Sequence, residues 1–245
     1  MRNNARQYLQ LIIENYGKER SLRAESNGND NSIWLYDVID PWFGVTAEQV
    51  GRALAEFGGA DVNLYINSPG GDVFEGRAMQ TRLKQYSGKV IAHIDGLVAS
   101  AATTVALGAD HRQMADGSMF MIHNAWTLGF GDKNDFAKTG DLLSKIDNAI
   151  GADYATITGA SREQVTQWMD EETWFSAEEA KANGFIDEIY TGDNEQAAKN
   201  RAAWNLSAYS NVPKALLNSN EPAPDEFTKP PRDRFERYLD MLHRI

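Results

Sequence analysis

Residues 96–109 read GLVASAATTVALGA and set one hydroxyl, Ser100, among Ala, Gly and other small residues. Small residues let a helix lie close to its neighbours and let another molecule approach its backbone. A helix beginning near Ser100 would aim its first, unpaired amide N–H groups at whatever that hydroxyl attacks. That arrangement suits a serine nucleophile. For an isolated serine the plainer reading is a core helix in which Ser100 is a small filler or a cap. A nucleophilic serine also needs a base within hydrogen-bond reach, an acid to orient that base, and donors for the developing oxyanion.

The chain has four histidines to offer as base. His243 lies near the end of the sequence, and His111 sits in a polar stretch that suits the surface. His93 falls mid-strand, where neighbouring groups usually satisfy an imidazole. His123 ends the apolar run MFMIH, just before a turn at Asn124. Sites in parallel sheets assemble where strands end and loops begin, so His123 is the best base candidate. For the oxyanion, NSPGGD (67–72) joins a Pro–Gly turn to Gly71, whose N–H could meet a ligand with no side chain in the way. An ordinary strand-ending turn would look the same. The acid is open among Asp170, Glu171 and Glu172, because carboxylates before a helix start also occur for dipole reasons.

The elements that must hold these residues alternate. SIWLYDVI (32–39), DVNLYINS (61–68) and KVIAHIDG (89–96) read as strands. TAEQVGRALAEFGGA (46–60) and FEGRAMQTRLKQYSG (74–88) read as helices, the first with Thr46 and Gln49 at capping-box spacing. Residues 98–109 form the small-residue helix, and 111–125 hold one or two further short strands. A long helix is expected over 133–159, where Phe136, Leu142, Leu143, Ile146, Ile150, Tyr154 and Ile157 recur at three- and four-residue steps. Short helices follow at 161–169 and 176–184, with Ser161/Gln164 and Ser176/Glu179 as capping boxes, and FIDEIY closes the pattern as a strand. Strand–helix alternation implies an α/β domain around a mostly parallel sheet. The expected organisation is a polar arm and linker at 1–31, a domain at 32–192, and a Pro-rich, mixed-charge tail at 193–245. That tail is expected to be poorly ordered, with room for one terminal helix.

Composition narrows the functional classes. A net charge of −11 argues against nucleic acid and against an anionic membrane surface as partners. No run of about 18 apolar residues could span a bilayer, and the first residues lack a secretory pattern. With no cysteine, disulfides, thiolate metal sites and a Cys nucleophile are excluded together. No G-x-x-x-x-G-K-[ST] loop occurs, so the sequence shows no nucleotide site.

INSPGGD, then GLVASAATTVALGA, then MFMIHNAW, then DEETWFSAEEAKANGFIDEI together resemble the ClpP-type serine peptidases. Within that group the chain is most similar to the head-maturation (prohead) proteases of tailed bacteriophages, through WLYDVIDPWFGVTAEQV, NSPGGDVFEG and ETWFSAEEA. The likeness covers about residues 32–190. It implies the ClpP/crotonase-like fold, with repeated strand–turn–strand units and a protruding handle helix at 133–159. It makes Ser100 the nucleophile and His123 the general base, with the amides of Gly71 and Ala101 as the oxyanion hole. The acid falls just before the SAEEA helix, with Asp170 favoured and Glu172 the alternative. No metal and no cofactor are implied.

The resemblance further implies a ring-like homo-oligomer cleaving scaffold and coat-protein segments, inside the assembling prohead in the host cytoplasm. The arm at 1–31 does not resemble the axial loop by which host ClpP engages its ATPase, which argues against an unfoldase partner. The tail is a candidate for self-processing within 193–230. Competing readings are a host-type ClpP peptidase working with an ATPase, a catalytically inactive ClpP-like shell component, and a crotonase-like acyl-CoA enzyme.

Overall fold

Alternating strands and helices give a sheet whose inner neighbours run parallel. A computed structural model describes residues 22–27, 30–42, 44–191, 206 and 209–217. The elements are β1 (Arg23–Asn27), β2 (Asp30–Leu35), α1 (Ala47–Glu56), β3 (Val62–Ser68), α2 (Val73–Lys84), β4 (Val90–Ala99) and α3 (Ala101–Ala106). They continue as β5 (His111–Ala115), β6 (Met119–Ile122), α4 (Lys133–Thr158), α5 (Arg162–Asp170), β7 (Thr173–Ser176), α6 (Ala177–Ala182), β8 (Glu188–Tyr190) and α7 (Lys214–Leu217). The sheet order is β1-β2-β3-β4-β5-β8, with β6 paired to β4 and to β7. Among the described residues, only the β1–β2 and β6–β7 pairings are antiparallel.

Local signals set several boundaries. Thr46 and Ser176 each close a reciprocal capping box, so α1 and α6 start where the sequence places them. At α5 the Ser161 side chain accepts from Gln164 N. The core gathers both sheet faces and the buried sides of the helices, with all six residues of α3 buried. Among the described residues, no helix is long and apolar enough to cross a membrane.

Two features differ from the sequence expectations. The stretch expected to be a linker forms the β1–β2 hairpin, with Asn27 opposite Asp30 and Arg23 opposite Trp34. Arg23 lies over the Trp34 ring at 3.6 Å, a cation–π contact that a polar composition hides. Part of the presumed tail also has a fixed place. Leu206 is only 4% exposed and joins Leu97, Ala99 and Met121, with Tyr209, Val212 and Leu216 packed around them. Those four apolar side chains, spaced by three or four residues, give this short stretch enough apolar area to dock. The arm at 1–21 and the proposed terminal helix lie outside the described residues.

β4 changes partner along its length: residues 91–94 pair with β5, and residues 97–99 with β6. The switch coincides with a register break against β3, where the Asn67 side chain accepts from Leu97 N at 3.1 Å. The last residues of β4 thereby splay toward β6 and away from β5. Helix α4 buries Ile150, Gly151 and Tyr154 near its C-terminal end, while Phe136 and Leu142 on its N-terminal part are mostly exposed. Phe130, just before it, is 95% exposed.

Candidate active site

Three parallel strands end side by side, and each is followed by one of the residues singled out from the sequence. Beyond β3 comes the Pro69–Gly70–Gly71 turn, beyond β4 comes Ser100, and beyond β6 comes His123. Ala99 pairs with Met121, and Ser100 N donates to Met121 O at 3.0 Å. This pairing delivers the two side chains to each other, with His123 Nε2 2.8 Å from Ser100 Oγ. Carboxyl ends of parallel strands are where such folds bind ligands.

Ser100 turns from strand to helix with φ 54° and ψ −127°, left-handed backbone that a non-glycine residue rarely adopts. Its carbonyl accepts from Thr103 N at 2.9 Å and Thr103 Oγ1 at 2.6 Å. Thr103 Oγ1 in turn meets the buried Tyr154 hydroxyl at 2.5 Å. The Ser100 side chain makes no hydrogen bond to the helix it precedes, so it is not a cap. The strained turn leaves the hydroxyl directed to the imidazole.

Opposite Ser100, the glycine turn is tied to the chain ahead of α1. Ile39 N donates to Gly70 O at 2.9 Å, and Asp72 N donates to Ile39 O at 2.7 Å. Gly70 N is taken by Ser68 Oγ at 3.1 Å. The turn presses on Ser100, since a Cβ at Gly70 would lie 2.8 Å from Ser100 Cβ and 2.9 Å from Ala101 N. The amides of Gly71 and Ala101 thus belong to two segments that meet beside Ser100.

The two candidate carboxylates take different places. Antiparallel β6–β7 pairing sets Ile122 against Thr173, so one further step sets His123 against Glu172. Asp170, the favoured acid, lies two residues beyond that and is engaged elsewhere: its Oδ1 accepts from Asn124 Nδ2 at 2.6 Å. Glu172 is the carboxylate whose charge acts on His123. It too has left-handed backbone, φ 49°. Burial of the imidazole outweighs this charge and pulls the His123 pKa down to about 4. The other described histidines follow the plainer readings. His93 stacks on Tyr65 at 4.6 Å and meets Asn63 Oδ1 at 3.0 Å, while His111 lies near Asp187 and Glu188.

A cleft of about 370 Å³ opens over Ser100 and His123. Leu142, Leu143, Ile146 and Ile150 line it from α4, with Thr104 and Tyr154 among its buried lining. Among the described residues, no group of three or more His, Asp or Glu side chains stands ready to hold a metal ion.

The sequence profile of the family described as Clp protease matches residues 47–193. The chain belongs to the Clp protease family. It is 28% identical over 179 residues to the ATP-dependent Clp protease proteolytic subunit 3 of Rhizobium etli, covering 71% of this chain and 92% of that one. It is 32% identical over 133 residues to an ATP-dependent Clp protease proteolytic subunit of Bacteroides fragilis, covering 54% and 64% respectively. Among solved structures it is similar to a ClpP1 mutant from Listeria monocytogenes. That match has a TM-score of 0.59 and 26% identity, over 66% of this chain and 92% of the other. The α/β architecture is accordingly that of the ClpP fold. The Clp protease match ends at residue 193, whereas the site described above also touches Tyr209, Ser210 and Asn211.

Proposed function

We propose that this Clp protease family member is an ATP-independent serine endopeptidase with Ser100 as nucleophile, His123 as general base and Glu172 as the acid that orients it. The observation that carries this reading is the 2.8 Å approach of His123 Nε2 to Ser100 Oγ at a strained strand-to-helix turn. Ser100 Oγ attacks the scissile carbonyl carbon as its proton passes to His123 Nε2. The amides of Gly71 and Ala101 hold the resulting oxyanion. The imidazolium then protonates the leaving amine, the C–N bond breaks, and an acyl-Ser100 ester remains. Water attacks that ester as it gives a proton to His123; the C–Oγ bond then breaks, His123 returns the proton to Ser100 Oγ, and the carboxylic acid product leaves. The α4 side of the cleft is apolar and suits an apolar substrate side chain next to the cleaved bond.

The direct test is a fluorophosphonate probe with the labelled residue mapped by mass spectrometry. A single adduct at Ser100 is the expected result. Absence of any adduct would leave the inactive-shell reading.

Burial of His123 fixes the expected pH dependence. The base works only as neutral imidazole, so kcat/KM should hold as pH falls through 6.5 and decline only toward about 4. An acidic limb centred at 6.5 would show an imidazole open to water. The two candidate acids separate by mutation. Glu172→Gln should lower kcat by about 10³- to 10⁴-fold, as expected for an orienting carboxylate, whereas Asp170→Asn should stay near wild type. The opposite order would return the role to Asp170.

The biological setting proposed is phage head maturation: rings of this chain, enclosed in the assembling prohead, trim scaffold and coat-protein segments. Its support is the order of the phage-like motifs and the lack of an axial-loop sequence at 1–31. The exposed apolar residues Phe130, Phe136 and Leu142 around α4 suit contacts between copies. One observation favours a second reading, a host-type peptidase: the relatives named above are ATP-dependent proteolytic subunits. Degradation of an unfolded polypeptide, measured with and without a Clp ATPase and ATP, separates the two. The phage reading expects no stimulation.

A further inference from the structure

We propose that Leu206 and the segment Tyr209–Leu216 are a working part of the peptidase site, a clamp in cis that holds the oxyanion turn, the base and the acid in register. The proposal rests on the catalytic reading above and extends it beyond the family match, which ends at residue 193. One residue, Tyr209, reaches two catalytic segments. Its hydroxyl donates to the carbonyl of Pro69, the residue leading into Gly70–Gly71. Its ring stands edge-on to the His123 imidazole at 5.6 Å and 83°, and edge-on to Trp174 at 5.7 Å.

The next two residues take hold of the acid. Ser210 N donates to Glu172 Oε2 at 3.0 Å, and Asn211 N donates to Glu172 Oε1 at 2.7 Å. Asn211 Nδ2 also donates to Glu171 O at 2.7 Å, which pins the backbone on which Glu172 adopts its left-handed conformation. Trp174 Nε1 supports the same carboxylate from β7 at 3.4 Å. Two backbone amides, one on each carboxylate oxygen, fix the direction of the group. A carboxylate on a left-handed residue at a helix–strand junction would otherwise have several rotamers to sample. Leu206, Val212 and Leu216 anchor the segment on Leu97, Ala99 and Met121, residues of the strands that end at Ser100 and His123.

Tyr209 is therefore a positioning residue, and the segment does not block the site. Ser100 and His123 remain in contact, and the cleft beside them stays open with Tyr209 as part of its lining. The groups facing the imidazole are Ser100 from the end of β4, Tyr209 from the clamp, and the charge of Glu172 from before β7.

The test uses the full chain, Tyr209→Phe, Tyr209→Ala and a chain ended after residue 205. Each is measured for peptide turnover, pH profile and melting. Tyr209→Phe keeps the ring edge and loses the bond to Pro69, so kcat should fall about 5-fold at unchanged KM. Tyr209→Ala and the shortened chain should lose at least about 10-fold in kcat. Both should also move the acidic limb of kcat/KM upward toward 6.5, because the imidazole loses the cover of the Tyr209 ring and is better solvated. A synthetic peptide of residues 206–217 added to the shortened chain should restore turnover. A merely structural tail would change melting without moving the acidic limb.

Wild-type kcat and pH profile in Tyr209→Ala would overturn the clamp. So would a rise in turnover on shortening, which would make the segment a latch. If the shortened chain fails to fold, the Tyr209→Phe and Tyr209→Ala pair decides alone. A full-length chain that neither turns over peptide nor takes the probe sinks the catalytic reading itself, a result distinct from an active chain indifferent to Tyr209.

Discussion

Ser100→Ala will abolish covalent capture by a fluorophosphonate and lower kcat by about 10⁵- to 10⁶-fold, the scale seen when a serine hydrolase loses its nucleophile. The protein will stay folded. Alanine keeps the Cβ and therefore the same left-handed turn, and the bonds that pin residue 100 come from its backbone. These are the amide on Met121 O and the carbonyl taken by Thr103. The hydroxyl caps nothing, so its loss removes one hydrogen bond to His123, worth about 1 kcal/mol. Melting should accordingly shift by only a few degrees. Residual hydrolysis would come from the oxyanion donors and the cleft alone. Labelling that persists in Ser100→Ala would place the nucleophile elsewhere, and an unfolded variant would mean that the hydroxyl is structural.

That Ser100 and His123 could be singled out without coordinates follows from their position at strand ends. An apolar run that stops at a histidine, and a small-residue run behind a serine, are local signals. The capping boxes at Thr46 and Ser176 are local too, and both helices start there. What the sequence left open was non-local. Choosing between Asp170 and Glu172 needs the register of a four-residue strand. That register is set by pairing with β6 and by burial of Phe120 against Phe175, not by any spacing within DEETWFSAEEA. The strain at Ser100 and at Glu172 is equally silent in sequence, since neither is a residue type that announces left-handed backbone. Asn27–Gly28 is a hairpin signal that was legible, but the surrounding Asn, Ser and Asp made the stretch look like a linker. The Leu206–Leu216 segment shows how a polar average conceals docking. Four apolar residues suffice to pack it on Leu97, Ala99 and Met121.

The second large effect is expected at the glycine turn. A Cβ at Gly71 would stand 2.1 Å from Ile39 O, and one at Gly70 would stand 2.4 Å from Ala99 O. Both obstacles are backbone atoms, so no side chain can rotate away, and φ of +143° and +88° strains any replacement further. Something must move, and the parts free to move are the turn and the Ile39 segment that brackets it through two hydrogen bonds. In the proposed mechanism, displacing the turn withdraws the Gly71 N–H from the oxyanion. Loss of one such donor costs about 10²- to 10³-fold in kcat. Gly71→Ala should therefore lose at least that factor in both peptide turnover and probe labelling, since the probe's tetrahedral adduct needs the same donor. It should also melt lower, because the strain is of order 1–3 kcal/mol. Gly140→Ala is the control: nothing lies within 4 Å of a Cβ there, and helix α4 favours alanine. It should leave turnover unchanged. If Gly71→Ala lowered melting but kept wild-type kcat in the folded fraction, the amide at 71 would have no share in the oxyanion, and the donor would have to be sought at Ala101 alone.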